Sequence, residues 1–316
     1  TTMALQSTVA TLPPYDSSTN KYAISTLGHL SYIAQNTSFW AYNYIQTADI
    51  DATTTKYWDD ADDAGGVTGD KYNDDNDATS TGNNEGFSPI GNQSIRFTGK
   101  YDGAKNEING LTIVRSTNTY NTGLFGRSQD TTISNIGLTD VNITGHTWVG
   151  PLVGLAYTTV ITNCYATSGT VTGTLYVGGL VGYLYSSSSI TNSYSNIDNV
   201  TASSSHIGGL VGRISTSTIL NSYSTGKVVS TSSSNSGGLV GDLYLTNNTV
   251  TDSFYDSTTS GQLDTGRGTG ISTSLMKTKA TFTDTSSANL TQSWDFYSTW
   301  EIDSSGTINN GYPYLK

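Results

Sequence analysis

The sequence holds one cysteine, Cys164, in 316 residues, which excludes an intrachain disulfide and leaves packing to hold the fold together. Charged side chains are scarce at 12 %, and Glu85, Glu107 and Glu301 are the only glutamates. Helical proteins fill their solvent faces with Glu, Lys and Ala, so this shortage argues against a helical class. Positive charge is scarcer still. Lys+Arg 14 against Asp+Glu 25 gives a formal net charge of −11, which leaves no basic field for a phosphate backbone and excludes nucleic acid as a partner. No apolar run approaches the roughly 18 residues needed to span a bilayer. Disorder is also excluded, because 10 % of the chain is aromatic, with 21 Tyr. What is present is Ser, Thr, Tyr and 34 Gly, the composition of an all-β, extracytoplasmic protein. The chain opens on Thr1 and reads as a mature or excerpted product whose signal segment, if any, has gone.

One string recurs: GLFG at 123–126, GPLVG at 150–154, and GGLVG at 178–182, 208–212 and 237–241. A second follows about ten residues later, as ISN, ITNCY, ITNSY, ILNSY and a degenerate VTDSFY. A third, β-branched string (VNITG, TVTG, NVTA, KVVS) closes most copies. Three short β-type runs per repeat of 28–30 residues, separated by Ser/Gly turns, are too short for a propeller blade. They predict a parallel β-helix, a β-solenoid with about three strands per coil, whose coils stack about 4.8 Å apart.

Alternation along Gly179–Tyr185 predicts Leu180, Gly182 and Leu184 inside and Val181, Tyr183 and Tyr185 outside. The repeat leucines Leu124, Leu152, Leu180, Leu210 and Leu239 then form an interior column. The outer face would carry Tyr157, Tyr183, Tyr185 and Tyr244 with Arg127 and Arg213, alongside Val153, Val181, Val211 and Val240. Asn135, Asn163, Asn192, Asn221 and Asp252 read as a stacked amide ladder, and Cys164, in a slot held elsewhere by Ser193, Ser222 and Ser253, as a filler thiol. The expected organisation is an arm and helical cap over 1–44, the solenoid over 45–255, and a Trp- and Tyr-rich C-terminal cap over 256–316 that seals the last coil. Leu27, Leu30, Ile33 and Ala34 predict the first helix, capped by Ser25 or Thr26. Leu275–Lys279 is the one plausible late helix.

These strings resemble the GLUG repeat of bacterial and archaeal surface proteins. The flanks share the resemblance: ADIDA, FSPIG, FTGKYDG and INGLTIV ahead of the repeats, and DSTTSGQ, MKTKATF, TWEI and NNGYPYL behind them. The similarity covers about residues 20 to 316, and Pro151 departs from it by replacing the second Gly. Such regions occur in filamentous-haemagglutinin-like adhesins and in the surface-display parts of immunoglobulin-A peptidases. The resemblance implies a β-helix on a cell surface and no catalytic residues.

The functional expectation is therefore a non-catalytic surface adhesin or a building block of a surface appendage. It would bind glycans or other protein subunits, or self-associate into filaments, through the face of Tyr157, Tyr183, Tyr185, Tyr244, Arg127 and Arg213. A contiguous aromatic strip on a soluble protein marks a contact surface, and Tyr offers ring area while its hydroxyl stays wet. The alternatives are a polysaccharide lyase or glycosidase, which needs paired carboxylates across a cleft, and an ice-binding solenoid, which needs a regular Thr array. Asp49 and Asp51 flank a turn and read as backbone caps. His29, His146 and His206 have no mutual spacing that makes a metal site. Arg213 and Asp242 read as an exposed ion pair of small value. An acidic insertion at 59–77, with Asp70, Asp74, Asp75 and Asp77, offers oxygen ligands for Ca²⁺.

Overall fold

The computed structural model describes residues 10–58, 85–115, 119–231, 235–263, 267–287 and 289–316. The acidic insertion, and with it the Ca²⁺ site expected at Asp70, Asp74, Asp75 and Asp77, lies outside them.

The chain winds as a parallel β-helix. Val181–Tyr185 pairs in parallel with Val153–Thr162 below it and Val211–Ser215 above it, and Val211–Ser215 pairs with Val240–Tyr244. The repeat leucines stack as the spacing requires: Leu152, Leu180 and Leu210 each donate a backbone N–H to the carbonyl of the Leu one coil on. All five leucines are fully buried. A second interior column runs Ile133, Ile161, Ile190, Ile219 and Val250.

Each coil has more strands than the three runs suggest, because single residues with positive φ turn its corners. Asn135, Asn163, Asn192, Asn221 and Asp252 have φ between 46° and 55°. Asn and Asp tolerate this left-handed conformation better than other non-glycine residues. The corner splits I-T-N-S-Y into Ser189–Thr191 and Tyr194–Asn196. The Asn column is thus first a conformational requirement. Its amide ladder is short, running from Asn163 Nδ2 to Asn135 Oδ1 (3.0 Å) and from Asn135 Nδ2 to Asp102 Oδ1 (2.9 Å).

Hydroxyls make the longer ladders. The Cys164 N–H donates to Ser193 Oγ, the Ser193 N–H to Ser222 Oγ, and the Ser222 N–H to Ser253 Oγ, at 3.1–3.2 Å. Thr159, Ser188 and Ser217 repeat the pattern at the preceding corner. Each such bond is worth on the order of 1 kcal/mol net, and each spares a buried corner N–H that no strand could satisfy. Cys164 ends the first ladder. Burial pushes its thiol up to about 12, so it fills space and is no nucleophile.

The outward placement expected for Val153, Val181, Val211 and Val240 is corrected: all four are fully buried. The chain bends at each Gly-Leu step, so Leu and Val both project inward across the corner. Strict alternation resumes only at the next residues, where Leu184 is buried and Tyr185 exposed. The paired glycines allow the bend through close approach. A Cβ on Gly179 would lie 2.1 Å from the Gly209 carbonyl and 2.2 Å from Ser195 Oγ. Pro151 occupies the same place one coil earlier, where Ala166 stands in register with Ser195 and removes the second clash.

The ends close the ladder. Lys21–Ile24 already pairs in parallel with Tyr44–Gln46, so coiling begins ahead of the helix Leu27–Gln35. Thr26 caps that helix, and its Leu27, Leu30, Ile33 and Ala34 are buried. At the other end Thr269–Ile271 adds a further parallel strand to Phe254–Asp256. The expected late helix is instead two four-residue turns, Thr273–Met276 and Ala280–Thr283. The remaining tail runs along the flank and does more than seal the last coil. Tyr165, Tyr194 and Tyr223 stack outside the solenoid at 4.9 and 5.0 Å with nearly parallel rings. Phe282, Trp294, Trp300 and Tyr312 cover the Tyr223–Phe254 end of that column as a second apolar core.

Candidate functional site

On another face of the solenoid, three neighbouring columns carry the side chains with most chemical character. Strand register fixes two of them as Gln129–Tyr157–Tyr185–Ser215–Tyr244 and Arg127–Leu155–Tyr183–Arg213–Asp242. The structure therefore brings together the tyrosines and arginines predicted from the repeat, although not equally exposed. Tyr185 is 36 % and Tyr244 45 % exposed, while Tyr157, Tyr183, Arg127 and Arg213 are half-buried.

The third column was not foreseen. Asn121, Trp148, Tyr176, His206 and Asn235 lie beside one another in register, and all have φ between 57° and 69°. Asn suits such a corner, whereas a bulky side chain there costs roughly 1–2 kcal/mol. The three middle coils bear that cost and place an indole, a phenol and an imidazole at the corner. A signal existed in the sequence, an aromatic or His two residues before three of the repeat Gly-Gly or Gly-Pro steps (W-V-G-P, Y-V-G-G, H-I-G-G). Taken as strand interior, it has no reason to point outward.

Together the columns form a continuous track. Ring centroids lie 5.5 Å apart for Tyr157–Tyr185, 5.4 Å for Tyr185–Tyr183 and 5.7 Å for Tyr183–Tyr176. Arg213 lies between Tyr176 and Tyr244, 4.5 and 4.4 Å from their centroids, and donates to Tyr176 Oη at 3.0 Å. Its ion pair with Asp242, at 2.7 Å, is only 14 % and 20 % exposed on the two side chains. The pair is thus a partly desolvated strut that fixes the rings, and not the exposed pair expected from the sequence.

His206 completes the strut. Its Nε2 accepts from Arg213 at 2.7 Å and from Asn235 Nδ2 at 3.0 Å, so the ring proton sits on Nδ1 and is donated to Ser205 Oγ at 2.6 Å. Burial foremost, then the Arg213 charge, lowers its pKa below 6.5 against the opposing pull of Asp242. His29 is lowered by burial as well. Folded values below the unfolded one mean that the unfolded chain takes up protons first. This stability is complete above about pH 6.5 and is lost as pH falls through the folded values. The melting temperature should therefore fall between pH 7 and pH 5, and His206→Gln should flatten part of that fall. An unchanged slope in the variant would remove His206 from the account.

A second concavity of about 480 Å³ separates the flank from the C-terminal tail, and its walls include Glu107, Asp198, Tyr194 and Asn309. Its carboxylates hold structural groups: Glu107 accepts from Tyr165 Oη, and Asp198 Oδ2 from the Gly169 N–H at 2.8 Å. Asp49 and Asp51 likewise accept backbone N–H bonds, from Glu107 and Thr53. Among the described residues, no group of three or more His, Cys, Asp or Glu is placed to hold a metal ion, and no helix is long and apolar enough to cross a membrane.

Comparison with known proteins adds the family context. The GLUG motif matches residues 173–203 and 203–229, two successive coils at the centre of the track. Halomucin of Haloquadratum walsbyi is 30 % identical over 144 residues, 43 % of this chain and 1 % of its own length. A protein of Evansella cellulosilytica provisionally described as a Gly-rich membrane protein is 46 % identical over 59 residues, 19 % of this chain and 6 % of its own. The chain thus spans a small fraction of either relative. A crystal structure of a Bacteroides ovatus protein, provisionally described as an immunoglobulin A1 protease, superposes with a TM-score of 0.62. It covers 94 % of this chain and 92 % of its own at 18 % identity, a likeness of fold alone. The chain thus carries the GLUG motif in two coils of a parallel β-helix.

Proposed function

We propose that this solenoid is a non-catalytic adhesive module of a cell-surface protein, and that the aromatic track is its contact face for glycan chains. One observation carries the reading: five tyrosines from three coils, bridged by Arg213 and with Trp148 and His206 held in a strained corner, line one face instead of entering a core. Backbone strain persists only where the surroundings impose it, and it concentrates at ligand sites. A phenol ring presents a flat apolar surface to the C–H face of a pyranose while its hydroxyl remains available for hydrogen bonding. The coil repeat supplies such rings in a row, suited to an extended ligand. The membrane-protein and mucin names of the relatives support a place at the cell surface.

The test is retention on an immobilised panel of neutral glucan, mannan and uronate-bearing polysaccharide. Tyr157→Ser/Tyr185→Ser/Tyr244→Ser should lose retention while its melt stays within a few degrees of the parent, because two of the three rings are substantially exposed. A variant that melts far lower would show the rings to be structural, and one retained as well as the parent would remove the track from recognition. Sedimentation of the same pair separates glycan contact from self-association, which would show as a parent-only increase in mass.

A further inference from the structure

The Arg column continues one position below Arg127. Phe97 and Ser128 form a parallel bridge, both are fully buried, and so Arg96 and Arg127 stand side by side on the outer face. Like charges directly opposite across strands are destabilising. The chain offers many acidic residues that could relieve this, and three coils further along the same column it does so, with Asp242 on Arg213. At Arg96 and Arg127 it does not. Neither side chain enters a salt bridge among the described residues, and the Nε of each is shielded from solvent without a hydrogen-bond partner. The charge of Arg96 and burial both bear on Arg127, and the nearby phenol is Tyr157, the first ring of the track.

We infer that the Arg96–Arg127 pair is an anion subsite at the N-terminal end of the aromatic track, which takes the acid group of a saccharide whose ring lies on Tyr157. The inference rests on the glycan reading above and narrows it to saccharides that carry a carboxylate or a sulfate ester. The outer Nη–H groups of a guanidinium can bind either group through two parallel hydrogen bonds. The net charge of −11 adds a restriction. It repels a dense polyanion at long range, whereas screening beyond about 8 Å at physiological salt leaves the local pair to act on a single group. The expected ligand therefore bears one isolated acid, such as a terminal uronate, on an otherwise neutral chain.

Titration calorimetry with cellobiouronic acid, its sulfate-ester counterpart, cellobiose and heparin tests this. At least one acidic disaccharide should bind ten-fold or more tighter than cellobiose, with heparin no better than that disaccharide. Arg127→Gln and Arg96→Gln should each erase the preference, so that the acidic disaccharide binds no tighter than cellobiose to either variant. Both variants should melt at or above the parent temperature, because each removes a like-charge contact. Equal affinity for acidic and neutral disaccharides, or a preference that survives both substitutions, would overturn the subsite. So would a large fall in melting temperature, which would make the pair structural. The glycan reading fails separately: acidic binding that persists in the triple Tyr→Ser variant but falls in Arg127→Gln retains the anion subsite and removes the track.

Discussion

Trp294→Ala is expected to undock the C-terminal tail from the solenoid flank. The indole is 2 % exposed, its Nε1–H donates to the Asp252 carbonyl at 3.0 Å, and its ring lies 4.6 Å from Phe282 and 4.7 Å from Trp300. Truncating a buried Trp costs about 3–5 kcal/mol through lost transfer energy and the cavity left behind. The unpaired Asp252 carbonyl adds to it. The loss should be local, because a solenoid is stabilised by neighbour contacts and the tail touches only one flank. Amide exchange should rise sharply over 282–316 while the coils around 171–215 keep their protection. Unchanged exchange in the tail, or a loss spread evenly along the chain, would contradict the second core.

Leu210→Ala should strike the solenoid itself. Leu210 is fully buried between Leu180 and Leu239, and the coil walls cannot collapse into the gap because backbone bonds set their spacing. A loss of about 2–5 kcal/mol is expected, with the middle coils losing exchange protection together. A loss under about 1 kcal/mol would mean that the leucine column is not close-packed.

The two cores differ in how far they could be read from the sequence. The solenoid was legible because each coil repeats the same apolar positions, and stacking follows from the repeat of Leu124, Leu152, Leu180, Leu210 and Leu239. The tail was not. Its docking depends on Tyr165, Tyr194 and Tyr223, which alternation places outside, and nothing local in W-D-F or T-W-E-I says which surface they cover. The corners explain most remaining differences. An Asn at positive φ gives a strand break that a propensity reading passes over, and at Trp148, Tyr176 and His206 propensity argues against the observed conformation. The bend at each Gly-Leu step turned Val153, Val181, Val211 and Val240 inward for the same reason: alternation holds along a strand and fails at a corner. The aromatic track was half legible. Its Tyr and Arg columns follow from register, whereas its left-handed column and its Arg213–His206–Asp242 strut depend on how the coil turns.

The aromatic track is the central claim, and tyrosine iodination in the presence of a retained polysaccharide tests it most directly. Tyr297, 94 % exposed in the C-terminal tail, is an internal reference on the same molecule. Bound glycan should protect Tyr185 and Tyr244 from modification while Tyr297 is iodinated at its free rate. Protection of Tyr297 alone, or equal modification of all three rings with and without the polysaccharide, would contradict the account.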